Sequence, residues 1–446
     1  MSTRRDFIRL AAAAPLAGAI SPTWAARSAQ LSSGIYAKAL ELAVRHVRGG
    51  PGEPIFKQPF VDAAFSDHIF LWDSCFIAAY AKYHLDRLPI AGALDNFYRL
   101  QEADGFICRE YDAHGNAFWP KDHPVSVNPP LLAFAELEIF GHSRDRARLR
   151  GVYPHLIRHF DFLVGAYRQS DDLFFSDAFG SGMDNIKRYP EGWQDDGQGI
   201  PLVNLYPDVF AYEGLSPKWN RQGRSVDFTA QMILFAQQLR KIGGLIGEPA
   251  DDARLATFVV RTGDALNERC WSEADGFYYD LGYGTQIPRM HIGMFWTLWA
   301  GIVSPERQLR MIRHLFDPRK FWRTIPVAST PGDSPDFDRE GGYWRGSVWA
   351  PTNYMIIRGL RACGHHAHAR RLALRYYSCV AQVYEATGTF WENYAPDALA
   401  PGSQAKRDFC GWTALAPITL CHEYLAARAL PHQAEASAQL SPARIS

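Results

Sequence analysis

Two acidic residues sit in settings suited to proton-transfer chemistry. Asp184 lies in Gly180-Ser181-Gly182-Met183-Asp184-Asn185-Ile186-Lys187-Arg188-Tyr189. This stretch falls inside the longest segment without helical periodicity, about residues 170–222. A connection that long in a compact domain is functional or disordered, and its Phe, Tyr and Trp content argues against disorder. Glu392 lies in Gly388-Thr389-Phe390-Trp391-Glu392-Asn393-Tyr394-Ala395-Pro396, again among glycine and aromatic residues. Two carboxyl groups facing one bond can split a glycoside, one protonating the leaving oxygen and the other activating water or attacking directly. Either residue taken singly reads better as a capping or solvated carboxylate, since the chain holds 47 acidic residues. The two are remote in the chain, so only a fold can unite them.

Other stretches share this polar and aromatic character. They are Leu71-Trp72-Asp73-Ser74, where Asp73 or Ser74 also reads as an N-cap; Gln101 to Tyr111, which contains Glu110; Gly341-Gly342-Tyr343-Trp344-Arg345-Gly346-Ser347-Val348-Trp349; and Phe409-Cys410-Gly411-Trp412-Thr413. The one dense histidine cluster, His365-His366-Ala367-His368, falls in a predicted turn with no carboxylate at ligand spacing. It reads as exposed histidines, so no metal is expected. No phosphate-binding glycine loop sits between a strand and a helix, and no Gly-x-Ser-x-Gly elbow is present. No cofactor is expected.

The elements that must position these residues are helices. Phe228, Met232, Phe235, Leu239 and Ile242 follow the rhythm of one helix face, as do Tyr153, Leu156, Phe160, Leu163 and Tyr167. Twelve helices are predicted, near 33–48, 70–85, 88–101, 128–141, 150–168, 223–243, 250–270, 288–301, 304–316, 345–364, 366–387 and 409–428. Period-2 alternation is scarce, with Phe277 to Asp280 the best short strand. A parallel sheet would need strands between the helices. The expectation is therefore all-α hairpins closed into a ring, with the long connections 102–127, 170–222, 317–344 and 388–408 building a site on one face.

Composition sets the remaining bounds. Lys plus Arg and Asp plus Glu both number 47, which gives no support for a nucleic-acid or anionic-membrane partner. Arg4-Arg5-Asp6-Phe7-Ile8, the weakly apolar run to Ile20 and the small residues Ala25, Ala26 and Ala29 have the layout of a twin-arginine export signal. The expected organisation is a signal over 1–29, one domain over 30–430 and a tail over 431–446. The expected location is periplasmic or secreted, with no membrane association once the signal is removed. Seven scattered cysteines without Cys-x-x-Cys form no disulfide framework or zinc site.

In this order, from Trp72 to Thr413, these stretches resemble the clan of inverting α-glycosidases that holds glycoside hydrolase families 63 and 37. The resemblance implies an (α/α)6 barrel and a small carbohydrate substrate. It implies Asp184 as general acid and Glu392 as general base. Trp72, Tyr343, Trp344 and Trp412 would be aromatic walls, and Asp73, Glu110 and Arg345 would hydrogen-bond sugar hydroxyls. Asn185, Arg188 and Tyr394 would contact the sugar or support those that do. Two positions depart from the clan's pattern: Gly180 where Glu is common, and Asn128 before Pro129-Pro130 where Gln is common. Asn185-Ile186-Lys187 replaces the trehalase wording after the acid, which favours a family 63-like enzyme. A sugar epimerase, a polysaccharide lyase and a silent sugar-binding protein are the alternatives on a helical barrel.

Overall fold

The computed structural model describes residues 22–63, 66–121, 123–189, 221–409 and 411–425. Most of the expected export signal, most of the long connection 170–222 and the tail 431–446 lie outside the described residues.

Among the described residues eleven helices run in order: α1 (Pro22–Arg45), α2 (Leu71–Ala81), α3 (Ile90–Leu100), α4 (Leu132–Ser143), α5 (Arg146–Tyr167), α6 (Val226–Ile246), α7 (Asp252–Arg269), α8 (Trp296–Trp299), α9 (Pro305–Leu315), α10 (Ala350–Ala362) and α11 (His366–Thr387). A twelfth, Ala416–Leu425, is a π-helix with Pro417 in its first turn. The expected helix positions hold apart from their ends. The largest difference is α1, which starts at Pro22, inside the stretch assigned to the signal. Phe277–Tyr278 does form a short strand, paired antiparallel with Trp271–Ser272.

Two layers follow from side-chain character. Every residue of α2, Leu-Trp-Asp-Ser-Cys-Phe-Ile-Ala-Ala-Tyr-Ala, is buried. A helix apolar all round must be enclosed. It packs on α4, α4 on α6, α6 on α8, α8 on α10, and the segment 413–425 closes the circle back onto α2. The other helices keep one wet face. In α9, Pro-Glu-Arg-Gln-Leu-Arg-Met-Ile-Arg-His-Leu buries only Met311, Ile312 and Leu315. Six hairpins, each an outer helix followed by an inner one, make a six-hairpin toroid.

The two kinds of connection differ in length. Inner-to-outer turns are short: only Arg144 and Asp145 separate α4 from α5, with Arg144 left-handed and Asp145 accepting a hydrogen bond from the Arg148 N–H. Outer-to-inner connections are long, as between α3 and α4, α5 and α6, α9 and α10, and after α11. They gather at the N-terminal ends of the inner helices. The histidines of the α10–α11 turn lie at the opposite end of α10, and among the described residues no cluster of metal-ligating side chains occurs.

Candidate active site

The long connections enclose a cavity of about 500 Å³, a size that suits a small-molecule ligand. Its lining includes Trp72, Asp73, Glu110, Asp184, Tyr343, Trp344, Glu392 and Trp412. Eight of the residues singled out in the sequence thus share one chamber.

Asp73 stands in the first turn of α2. The N-cap position is Phe70, so Asp73 is not the N-cap, and it lines the cavity. The loop carrying Asp184 is a chain of tight turns. Asp177 accepts a hydrogen bond from the Gly180 N–H at 2.6 Å, and Ile186 N–H donates to the Met183 carbonyl at 2.9 Å. Gly180 cannot carry a side chain here, because a Cβ would come within 2.3 Å of the Pro124 carbonyl oxygen. Gly182, at φ +76°, lets the loop lie against the Trp72 ring, where a Cβ would approach to 3.0 Å.

Aromatic walls come from α2 and from two of the connections. Trp72 packs edge-on to Trp412 at 5.9 Å and tilted to Trp344 at 6.3 Å, and Trp344 stacks on Trp349 at 4.1 Å. Glu110 is held on both oxygens, by the His68 ring at 2.7 Å and the Trp119 indole N–H at 2.7 Å. Asn128 also lines the cavity, and its buried Nδ2 has no partner among the described residues, which leaves a donor for a ligand oxygen.

The carboxyl groups have different surroundings. Burial pushes the Asp184 carboxyl up to about 7; Arg109 opposes the rise, and Glu392, Glu110 and Asp177 add to it. Its nearest cation among the described residues is Arg109, with Nη2 at 3.8 Å from Oδ1. Arg109 is sandwiched between Trp119 and Phe179, 5.0 and 5.3 Å from the ring centres, and donates to the Phe179 carbonyl. Glu392 is also raised by burial, but Lys406 and the Tyr343 hydroxyl work against that rise. Its Oε2 accepts from the Lys406 N–H at 3.2 Å and its Oε1 from the Tyr343 hydroxyl at 3.4 Å. Such bonds favour the charged form. Two hydrogen bonds thus favour the carboxylate of Glu392, whereas the Asp184 carboxyl has Arg109 alone as its main opposition to burial.

Asp73 is the third member. Burial lifts it to about 8, opposed by Arg109 and aided by Glu392 and Asp184. A carboxyl raised on folding contributes stability that is full below its unfolded value of 3.8 and lost as pH rises through about 8. Melting temperature should therefore fall as pH rises from about 4 to about 8, and Asp73→Asn should flatten that fall. Parallel melting curves for the two proteins over this range would rule out Asp73 as its source.

Four expected residues lie outside the cavity lining: Arg345, expected to hydrogen-bond a sugar hydroxyl, and Asn185, Arg188 and Tyr394, expected either to contact the sugar or to support residues that do. Arg188 is fully buried and its guanidinium is occupied by Asp227 and Asp280. Asp280 also bonds His291 at 3.2 Å and accepts from the Val226 N–H at the start of α6. Arg345 turns away, its Nε donating to the Asp336 carbonyl at 3.3 Å. The Tyr394 backbone pairs with Val348 in both directions and its ring is buried. Asn185 bonds the backbone of Gly342 and Trp344. Conversely, the sequence reading left out Ser66, His68, Phe70, Arg109, Phe118, Trp119, Phe179 and Lys406, all in the lining. Arg109, next to Glu110, stood in a named motif, and Phe118, Trp119, Phe179 and Lys406 fell in long connections expected to build the site.

Comparison with known proteins gives the family and the fold. A mannosylglycerate hydrolase of Rubrobacter radiotolerans is 25% identical over 418 residues, covering 78% of this chain and 89% of that protein. A probable mannosyl-oligosaccharide glucosidase of Schizosaccharomyces pombe is 22% identical over 343 residues, covering 73% of this chain and 40% of that protein. The chain spans 65%, 40% and 48% of the length of three of the curated relatives it matches. A crystal structure of a family 63 mannosylglycerate hydrolase from Thermus thermophilus, in complex with Tris and D-glycerate, superposes with a TM-score of 0.69 at 22% identity, over 86% of this chain and 99% of that one. The profile of the mannosylglycerate hydrolase MGH1-like glycoside hydrolase domain matches residues 66–413, the span from the rim of the cavity to the last residues that close it, and the chain belongs to that family of glycoside hydrolases.

Proposed function

We propose that the protein is an inverting exo-α-glycosidase that releases one glucose-like or mannose-like unit from a small α-linked glycoside. Asp184 is the general acid and Glu392 the general base. The observation that carries this reading is the contrast between the two carboxyls in one cavity. Asp184, whose nearest described cation is an arginine at 3.8 Å, is pushed up to about 7 and keeps a proton to give. Glu392 accepts two hydrogen bonds that favour its carboxylate, the form that can take a proton from water. Environments that separate the two titrations assign acid and base.

The size of the substrate follows from the cavity. About 500 Å³ accommodates one hexose and a compact aglycone, with the indoles of Trp72, Trp344 and Trp412 to cover the apolar faces of a ring. The mannosylglycerate hydrolases among the relatives, and the solved one with D-glycerate, support a small aglycone. A panel of mannosylglycerate, glucosylglycerate, trehalose, nigerose and kojibiose will identify the substrate. Proton NMR of the first product should show the β-anomer. An α-anomer at the earliest times would exclude direct attack by water activated at Glu392.

A further inference from the structure

Asn185 adjoins Asp184 in sequence yet reaches away from the cavity. Its Nδ2 donates to the Gly342 carbonyl at 3.0 Å, and its Oδ1 accepts from the Trp344 N–H at 2.7 Å. The residue caught between those two bonds is Tyr343. Tyr343 has φ +63° and Gly342 has φ +48°. A bulky residue in the left-handed region is disfavoured and persists only where its surroundings hold it. The Tyr343 hydroxyl in turn reaches Glu392 Oε1 at 3.4 Å. A continuous path thus runs from the backbone of Asp184, through one amide, to the carboxyl of Glu392.

We propose that Asn185 is a positioning residue: its amide clasps the Gly342–Trp344 turn to the Asp184 loop, holds Tyr343 in its left-handed conformation and so fixes the general acid relative to the general base. The inference rests on the reading of Asp184 and Glu392 given above. The clasp needs an amide. One donor and one acceptor must sit on the same fork, opposite a carbonyl and an N–H of a single turn. An aspartate would present an acceptor to the Gly342 carbonyl, and an apolar residue would satisfy neither. The same clasp orients Trp344, whose ring stacks on Trp349 at an interplanar angle of 3°.

The test is a double-mutant cycle of Asn185→Ala and Tyr343→Phe, read in kcat and in the pH profile of kcat/KM. Asn185→Ala should lower kcat by about 10- to 100-fold, as a misplacement of about 1 Å does, with a much smaller change in KM. In both single variants the acidic limb should move to higher pH, because the Tyr343 hydroxyl favours the ionised form of Glu392. The double variant should be no worse than the more damaged single one. Independent, multiplying losses, or an acidic limb that Asn185→Ala leaves in place, would overturn the proposal. Asn185→Asp provides a near-isosteric control should the alanine variant fold poorly. It lacks the donor to Gly342 and should show the same shift, whereas wild-type kcat and pH profile in a folded Asn185→Asp would also overturn it. Failure of the underlying acid–base reading shows separately, as activity retained in Asp184→Asn or Glu392→Gln. Failure of the clasp alone leaves those two inactive and Asn185→Ala near normal.

Discussion

Asp184→Asn should lower kcat on an unactivated α-glycoside by about 10²- to 10⁴-fold, the range for loss of a general acid. That is a rise in barrier of about 3–5 kcal/mol. The loss should shrink with an activated leaving group, such as a glycosyl fluoride or a nitrophenyl glycoside, since these leave with little protonation. The pH profile provides a second signature. A general acid works in its protonated form, and burial holds Asp184 at about 7. Activity of the native enzyme should therefore fall as pH rises through about 7, and this basic limb should vanish in Asp184→Asn. An equal loss on all leaving groups, with the basic limb intact, would assign proton donation to another residue. Asp73, at about 8, would then be the first to examine.

Glu392→Gln should be as damaging and should differ in kind. Water must still be activated whatever the leaving group, so the loss of about 10²- to 10⁴-fold should persist with a glycosyl fluoride. The base works ionised. Burial places Glu392 above the ordinary glutamate value, so the acidic limb of the native profile should lie above that value and disappear in the variant. Substrate binding in Glu392→Gln should survive, because the indole N–H of Trp412 bonds the Glu392 backbone carbonyl at 3.0 Å and leaves the wall in place. Recovery of activity with an activated leaving group in this variant would exchange the two roles.

Much of the fold was legible in the sequence, because the signal for a helix lies in the helix itself. The apolar rhythm of residues such as Phe228, Met232 and Phe235 placed α6 without knowledge of its neighbours. The π-helix at 416–425 was not legible, since its apolar run reads as an ordinary helix. For the site, quoted motifs brought Trp72, Asp73, Asp184, Glu392 and Trp412 into one cavity. A motif gives adjacency in the chain and not side-chain direction. Arg188 is four residues from Asp184 and points into an ion cluster, and Arg345 follows Trp344 and turns to Asp336. His68 and Lys406 carried no local signal. Each is one ionisable residue among many, and only the folded chain brings it to the cavity rim.

The uneven lengths of the connections have a consequence for how such a protein can change. The ring is closed by turns as short as two residues, and these leave little room for insertion without unseating a hairpin. The connections that reach the chamber are already long, and the entropy of closing a loop grows only slowly with its length. One of them can therefore lengthen, shorten or exchange residues while the others and the ring stay as they are. The barrel separates inheritance of the framework from experiment at the mouth, so that lineages sharing these helices can diverge in the glycosides they accept by editing one connection at a time.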